Sequence, residues 1–340
     1  MRDISMNAAE QVQALVDRRY RSTTPYDVSR KKIREFARAV QDYHPAHWSA
    51  DAAADLGFPG LLAPATFSSI ILSRVQREIL DTVLTGYRSS RILHADQVLD
   101  LGRPLVAGDR LTCDIYFESV RHFADYDVLS IKSVLVDQHG EPVQTGSTAL
   151  LARTGLADPR LAETVRGLVV RDYSPAGPGQ SSADLVVPPC GSRLPCSTVD
   201  FDALTVGTEL PPRIVRLSHG DLANYAAVVG DTDPVGCDDT TASGLPSAVA
   251  PGMLKLGMAA AFLSSWLGDP AAVTRFRAQF AHYTHYLRIP QFATSTIEFT
   301  GRVTSLDMRR RRATIAIDAR SDGRRLFGYA AAEVRFPLGD

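Results

Sequence analysis

Residues 30–48, RKKIREFARAVQDYHPAHW, decide the reading of the chain, because residues 218–239, SHGDLANYAAVVGDTDPVGCDD, repeat their plan. Each is an amphipathic helix running into an Asp-x-x-Pro turn. Ile33, Phe36, Ala37 and Val40 fall at helical spacing and make one apolar stripe. Leu222, Tyr225, Ala226 and Val229 do the same, and Ser218 with Asp221 has the form of a capping box.

The parallel continues downstream. LLAPATFSSIILSRV (61–75) matches AVAPGMLKLGMAAAF (248–262), so in each half a turn ending in Ala-Pro opens a long apolar helix. Strand-like runs follow. Leu111, Cys113, Ile115 and Phe117 alternate with polar residues, as do Ala313, Ile315, Ile317 and Ala319. Gly140 and Gly323 sit at expected hairpin turns. Each half therefore reads as helices followed by an antiparallel sheet, and a sheet curved around the apolar helix would cover it. The expected domains are 1–155 and 197–340. The Pro-, Gly- and Ser-rich stretch 156–196 is the expected linker, with a short helix expected over Arg160 to Val170.

Bulk properties narrow the function. The chain has 340 residues, 37 basic and 38 acidic, and a net charge of -1, which leaves no electrostatic footprint for nucleic acid. The apolar windows Thr66–Leu72 and Met258–Leu263 are far short of the roughly 20 residues a membrane span needs. The first residues hold no apolar run, so no secretory leader is expected. Cys113, Cys190, Cys196 and Cys237 are too few for a disulfide scaffold and are read as free thiols of a reducing cytoplasm. No GxGxxG, P-loop or GxSxG pattern is present.

Asp42 and His47 lie five residues apart across Pro45, which stops the helix. Such a turn can aim a carboxylate and an imidazole into one cleft, the pairing that proton transfer near neutral pH needs. A plain helix-stop hydrogen bond is the competing reading.

DYHPAHWSADAAA (42–54) resembles the signature of the MaoC-like, R-specific enoyl-thioester hydratases and dehydratases, D-x-N-P-x-H with a small residue six positions on. Asp42, Pro45, His47 and Ala53 match. His44 stands for the usual Asn and Gln41 for the usual Gly. YDVSRKKIREFARAV and GLLAPATF are similar to the mycobacterial hydroxyacyl-ACP dehydratases, and the second half, from VGTELP to RLFGYAAAEVRF, resembles their partner subunit. The resemblance implies an α+β double hot-dog fold with both subunits fused. It implies a hydro-lyase that interconverts a (3R)-hydroxyacyl thioester and a trans-2-enoyl thioester, carried on CoA or an acyl carrier protein, in fatty acid or polyketide metabolism. It implies Asp42 and His47 as the catalytic pair, in acid and base roles left open, and the Ala65 N–H as the oxyanion donor. Pro64, Thr66, His44 and Ser73 are expected near the substrate. No cofactor and no metal are required, and a homodimer is compatible.

The second half departs from the signature. Asp231 and Pro234 are kept, Asp233 takes the Asn position, Gly236 takes the His position, and Gly252 matches the oxyanion position. One working dyad, in the first half, is therefore expected, the reverse of the mycobacterial arrangement. His282, Tyr283, His285 and Tyr286 could line the cleft or form an aromatic strand face. The arginine run 309–312 is read as a tight hairpin with solvated arginines rather than a phosphate patch. Two rivals keep the fold: a polyketide-tailoring cyclase or double-bond isomerase, and a non-catalytic acyl-thioester-binding protein.

Overall fold

A computed structural model of the chain describes residues 16, 19–83, 92–123, 126–153, 193–231, 247–280 and 287–338. The expected helix at 160–170, nearly all of the linker, Cys190, Cys237, Asp233, Pro234, Gly236 and the His282–Tyr286 cluster lie outside these residues. Short strands β1 (Arg19–Arg21) and β2 (Tyr26–Asp27) lead into α1 (Arg30–Ala39), α2 (Ala50–Asp55) and α3 (Ser69–Val83). Then come β3 (Ile92–Leu101), β4 (Arg110–His122), β5 (Tyr126–Val136) and β6 (Pro142–Arg153). The second half runs β7 (Glu209–Ser218), α4 (His219–Val229), β8 (Ser247–Val249), α5 (Gly252–Leu267), β9 (Val273–Phe280), β10 (Arg288–Pro290), β11 (Thr294–Asp307), β12 (Arg312–Ser321), β13 (Arg324–Arg325) and β14 (Phe327–Arg335).

One antiparallel sheet spans both halves in the order β1-β4-β5-β6-β3-β9-β14-β12-β11-β7. The halves join where β3 pairs with β9, with Val98 opposite Arg277 and Leu99 opposite Phe276. Two antiparallel sheets fused at this seam, each followed along its inner face by a long helix, are the expected double hot-dog arrangement. The period-2 reading holds: Leu111, Cys113, Ile115 and Phe117 are all buried, and so are Ala313, Ile315, Ile317 and Ala319. Asp114 is buried among the former because Arg19 and Arg21 close on its two oxygens at 2.7 and 2.8 Å.

The helices differ in surroundings. α1 is amphipathic, capped by Ser29 accepting from the Lys32 amide, and its Phe36 ring lies 5.5 Å from Phe67 and 6.4 Å from Tyr225 across the halves. α5 is buried nearly all round, as a helix enclosed by sheet must be. Gly257 lets it close on α1, since a Cβ there would sit 2.5 Å from Val40 Cγ1. The expected capping box at Ser218 and Asp221 is formed, and Gly230 closes α4 in the left-handed conformation.

Two expectations need correction. The first apolar helix does not open at Ala65. Residues 65–68 wind as tight turns, with Phe67 N–H donating to Pro64 O and Ile70 N–H to Phe67 O, and α3 begins at Ser69. Arg309–Arg312 form the expected hairpin, but not all of them are solvated. Arg311 makes a two-pronged pair with Asp202 at 2.9 and 3.0 Å and lies 4.8 Å over the Phe201 ring. Cys113 is buried and Cys196 exposed, both as free thiols. Among the described residues no helix is long and apolar enough to cross a membrane.

Asp96, on the seam strand β3, is buried, and burial pushes its carboxyl up to about 6 against the opposing charge of Arg277. Because the folded form keeps its proton to higher pH than the unfolded chain, stability falls as pH rises from about 4 to about 6. Asp96→Asn is expected to remove this loss and to gain about 1–3 kcal/mol over wild type at pH 7 relative to pH 4, since each tenfold difference in proton affinity between the folded and unfolded chain is worth ~1.4 kcal/mol. Urea unfolding of both proteins across this range checks it; parallel curves would refute it.

Candidate active site

α1 ends where the chain must reverse. Gln41 takes the left-handed conformation, φ 54°, and the reversal points Asp42 inward. A side chain at that φ is strained, which accounts for the glycine usual in the resembling family. Here the strained residue is pinned to the other half: Gln41 Nε2 donates to Arg216 O at 2.8 Å, and Arg213 donates to Gln41 O at 2.6 Å.

Past the turn, Pro45–His47 form one 3-10 turn capped by His44. His44 Nδ1 accepts from the Ala46 amide at 3.3 Å, so its proton sits on Nε2, which donates to Gly268 O at 3.0 Å. Burial pushes the His44 imidazole down in pKa, which favours this neutral form. The expected substrate contact of His44 is therefore replaced by a different employment: both ring nitrogens are spent on holding the turn against the C-terminus of α5.

The structure brings Asp42 and His47 together. His47 Nε2 lies 3.2 Å from Asp42 Oδ2, and both side chains are closed off from solvent, at 0% and 2% exposure. His47 Nδ1 sits 2.7 Å from Leu62 O; a carbonyl only accepts, so Nδ1 carries a proton and Nε2 is the nitrogen facing the carboxylate. Burial pushes the Asp42 carboxyl up, but the His47 imidazole and the His44 amide outweigh it and hold the carboxyl below the usual range. Neither Asp42 Oδ2 nor His47 Nε2 has a well-aligned hydrogen-bond partner, and Thr66 Oγ1 is buried in the same condition. Leaving such atoms unmatched costs about 1–3 kcal/mol each, so the facing pair is held at a cost to stability.

The start of the α3 segment supplies amides. Pro64 is buried, and the winding uses the Phe67 amide first, so the Ala65 and Thr66 amides belong to the group that a helix start leaves without internal acceptors. Their positive end is suited to a developing oxyanion.

The other expected positions separate from this pair. A cavity of about 300 Å³ opens at the second half's turn, and neither Asp42 nor His47 lines it. Ser73 lines it instead, as do Asp231 and Gly252. Asp231 is held by Arg77 of α3 at 2.7 Å, so a guanidinium occupies the carboxylate that would otherwise await an imidazole. Gly252 is required by close packing: a Cβ there would lie 2.7 Å from the Phe280 ring. Sequence reasoning missed Arg77, His94 and Lys255 at this cavity. The signal for Lys255 was its place as a lone charge within the apolar run of α5.

Comparisons with known proteins agree on ancestry. Residues 14–146 match the model of a FAS1-like, dehydratase domain region, and residues 203–319 match that of a MaoC like domain. A UPF0336 protein of Streptomyces coelicolor is 43% identical over 141 residues, 42% of this chain and 94% of that protein. A UPF0336 protein of Mycobacterium tuberculosis is 39% identical over 146 residues, 43% of this chain and 88% of that protein. A solved MaoC-like dehydratase is 37% identical with a TM-score of 0.80, covering 96% of this chain and 99% of its own. A protein of M. tuberculosis described as having a double hotdog fold is 16% identical with a TM-score of 0.64, covering 96% of this chain and 98% of its own, a likeness of fold alone.

Proposed function

The chain belongs to the MaoC-like dehydratases, and from that premise we propose that it interconverts a (3R)-hydroxyacyl thioester and a trans-2-enoyl thioester at Asp42 and His47. It is a hydratase or dehydratase of double hot-dog fold; the acyl substrate, its carrier and the residues that act are the parts proposed. The observation that carries the reading is the buried pair itself, a carboxylate and an imidazole 3.2 Å apart with their facing atoms unmatched by any other group.

The geometry divides the work. Leu62 O holds the His47 ring through Nδ1, so Nε2 is the nitrogen that exchanges a proton. In hydration, water adds its oxygen to C3 of the enoyl thioester while the Asp42–His47 pair takes the proton that water gives up and delivers one to C2. The C2=C3 double bond is lost, and the negative charge passes through the thioester carbonyl oxygen. The Ala65 N–H, in the tight turns that lead into α3, is the donor we assign to that charge. Dehydration is the same path reversed. Because the pair is closed off, substrate entry must displace part of its cover.

The test is a turnover assay with a trans-2-enoyl-CoA and with the same acyl group on an acyl carrier protein. The expected result is loss of the conjugated thioester with formation of the (3R)-hydroxyacyl product on at least one carrier. Thermal stabilisation by the thioester without turnover, or formation of a cyclic or double-bond-shifted product instead, would overturn the reading.

A further inference from the structure

The second half has lost its imidazole position, yet a cavity of about 300 Å³ persists there, at the small end of the range that holds organic ligands. Its wall is largely apolar, drawn from Leu222, Val229, Met253 and Phe280. Polar side chains line the cavity as well, Ser73, Arg77, His94, His219, Asp231 and Lys255 among them, and two of these lack a partner for a buried group. Lys255, one turn into α5, is 6% exposed, and its ammonium has no side-chain partner among the described residues. His94 of β3 packs its ring 4.8 Å from Phe280, and its Nε2 is buried with no hydrogen-bond partner.

Among the described residues, the charges at the cavity do not cancel. Arg77 is matched by Asp231 at 2.7 Å, and burial pushes His94 down to about 4, so it is neutral at pH 7. That leaves the buried amine of Lys255, which burial alone pushes down to about 8. A buried cation without a counter-charge is expensive, and a group kept in that condition at the wall of a cavity is a candidate for ligand contact. One positive charge calls for one negative charge. The apolar wall calls for a hydrocarbon body, and it disfavours a doubly charged, strongly hydrated group such as a phosphate.

We propose that this cavity is a second ligand site, taking a medium-length aliphatic carboxylate with its anionic end on Lys255 Nζ and its chain along the apolar wall. The neutral His94 ring, on the same cavity wall, supplies a further polar contact. The site stands apart from the Asp42–His47 pair and does not depend on what that pair catalyses.

Calorimetric titration of the full chain with octanoate, and with 1-octanol as the uncharged probe, tests it. Wild type is expected to bind octanoate at least ~10-fold more tightly than octanol, the scale of a charge-assisted hydrogen bond. Lys255→Met keeps the bulk and removes the charge; it is expected to abolish that preference while still binding octanol. Ala223→Trp, at an exposed position of the cavity wall, is expected to weaken both ligands and provides the test should Lys255→Met fail to fold. His47→Ala is expected to bind octanoate as wild type does, which separates this site from the dyad. Equal affinity of wild type for the two probes, no binding of either, or unchanged octanoate binding by Lys255→Met or by Ala223→Trp would overturn the proposal.

Discussion

His47→Ala is expected to lower kcat for enoyl-thioester hydration by about 10²–10⁴-fold, the usual contribution of a positioned general acid–base group. The ring is held at Nδ1 by Leu62 O, so its other nitrogen has one neighbour to work with, the Asp42 carboxylate at 3.2 Å. Deleting the ring removes the proton carrier and leaves the buried Asp42 Oδ2 without the imidazole that faces it, so a loss of stability accompanies the loss of rate. Asp42→Asn separates the two effects. It keeps the shape of the side chain and removes the charge that would stabilise an imidazolium, so the rate is expected to fall comparably with a smaller change in Tm. The Asp42 carboxyl is held low in the folded protein, so its contribution to stability is present above the unfolded carboxyl pKa, near 4, and is lost as pH falls through the lowered value. Asp42→Asn should flatten this acid limb. Single-turnover assays with thermal melts check both variants; full activity in both would remove Asp42 and His47 from the reaction.

The fold was legible where local pattern and tertiary role coincide. The stripes ending at Val40 and Val229, the apolar helix that opens after Pro251 and the alternation at 111–117 all reflect burial, and burial is what sequence periodicity records. The pairing of Asp42 with His47 was legible because a proline turn confines both to one reversal. The start of α3 was not, since Thr66, Ser68 and Ser69 favour tight turns over an immediate α-helix, and only the path from Pro64 into the core decides between them. His44 was misread because its partner, Gly268 O, lies 224 residues away. Arg77 and Asp231 are likewise joined across the halves, at a separation of 154 residues. Ser73, expected near the substrate of the first site, is carried by α3 to the cavity of the second.

Asp269→Ala is expected to destabilise the protein by about 3–5 kcal/mol, the range for stripping one partner from a buried ion pair. Asp269 is fully buried and its two oxygens carry three contacts: Arg193 Nη2 at 2.9 Å, the Cys196 amide at 2.8 Å and the Ala271 amide at 3.0 Å. Arg193 in turn donates to Leu56 O at 2.7 Å and lies 4.4 Å over the Phe58 ring, so the carboxylate ties the exit of α5 to α2 of the first half. Removing it leaves a mostly buried guanidinium without its charge partner and two amides without acceptors. The neighbouring residue is Gly268, whose carbonyl receives the His44 proton, so the damage should spread to the turn that holds Asp42 and His47 and lower kcat as well as Tm. The coupling is open to a double-mutant cycle. Asp269→Ala combined with Arg193→Ala is expected to cost less than the two single changes added together, because the second removes the charge that the first leaves stranded. Strict additivity, or a single-variant loss under ~1 kcal/mol, as for an exposed pair, would show that this junction does not hold the two halves in register.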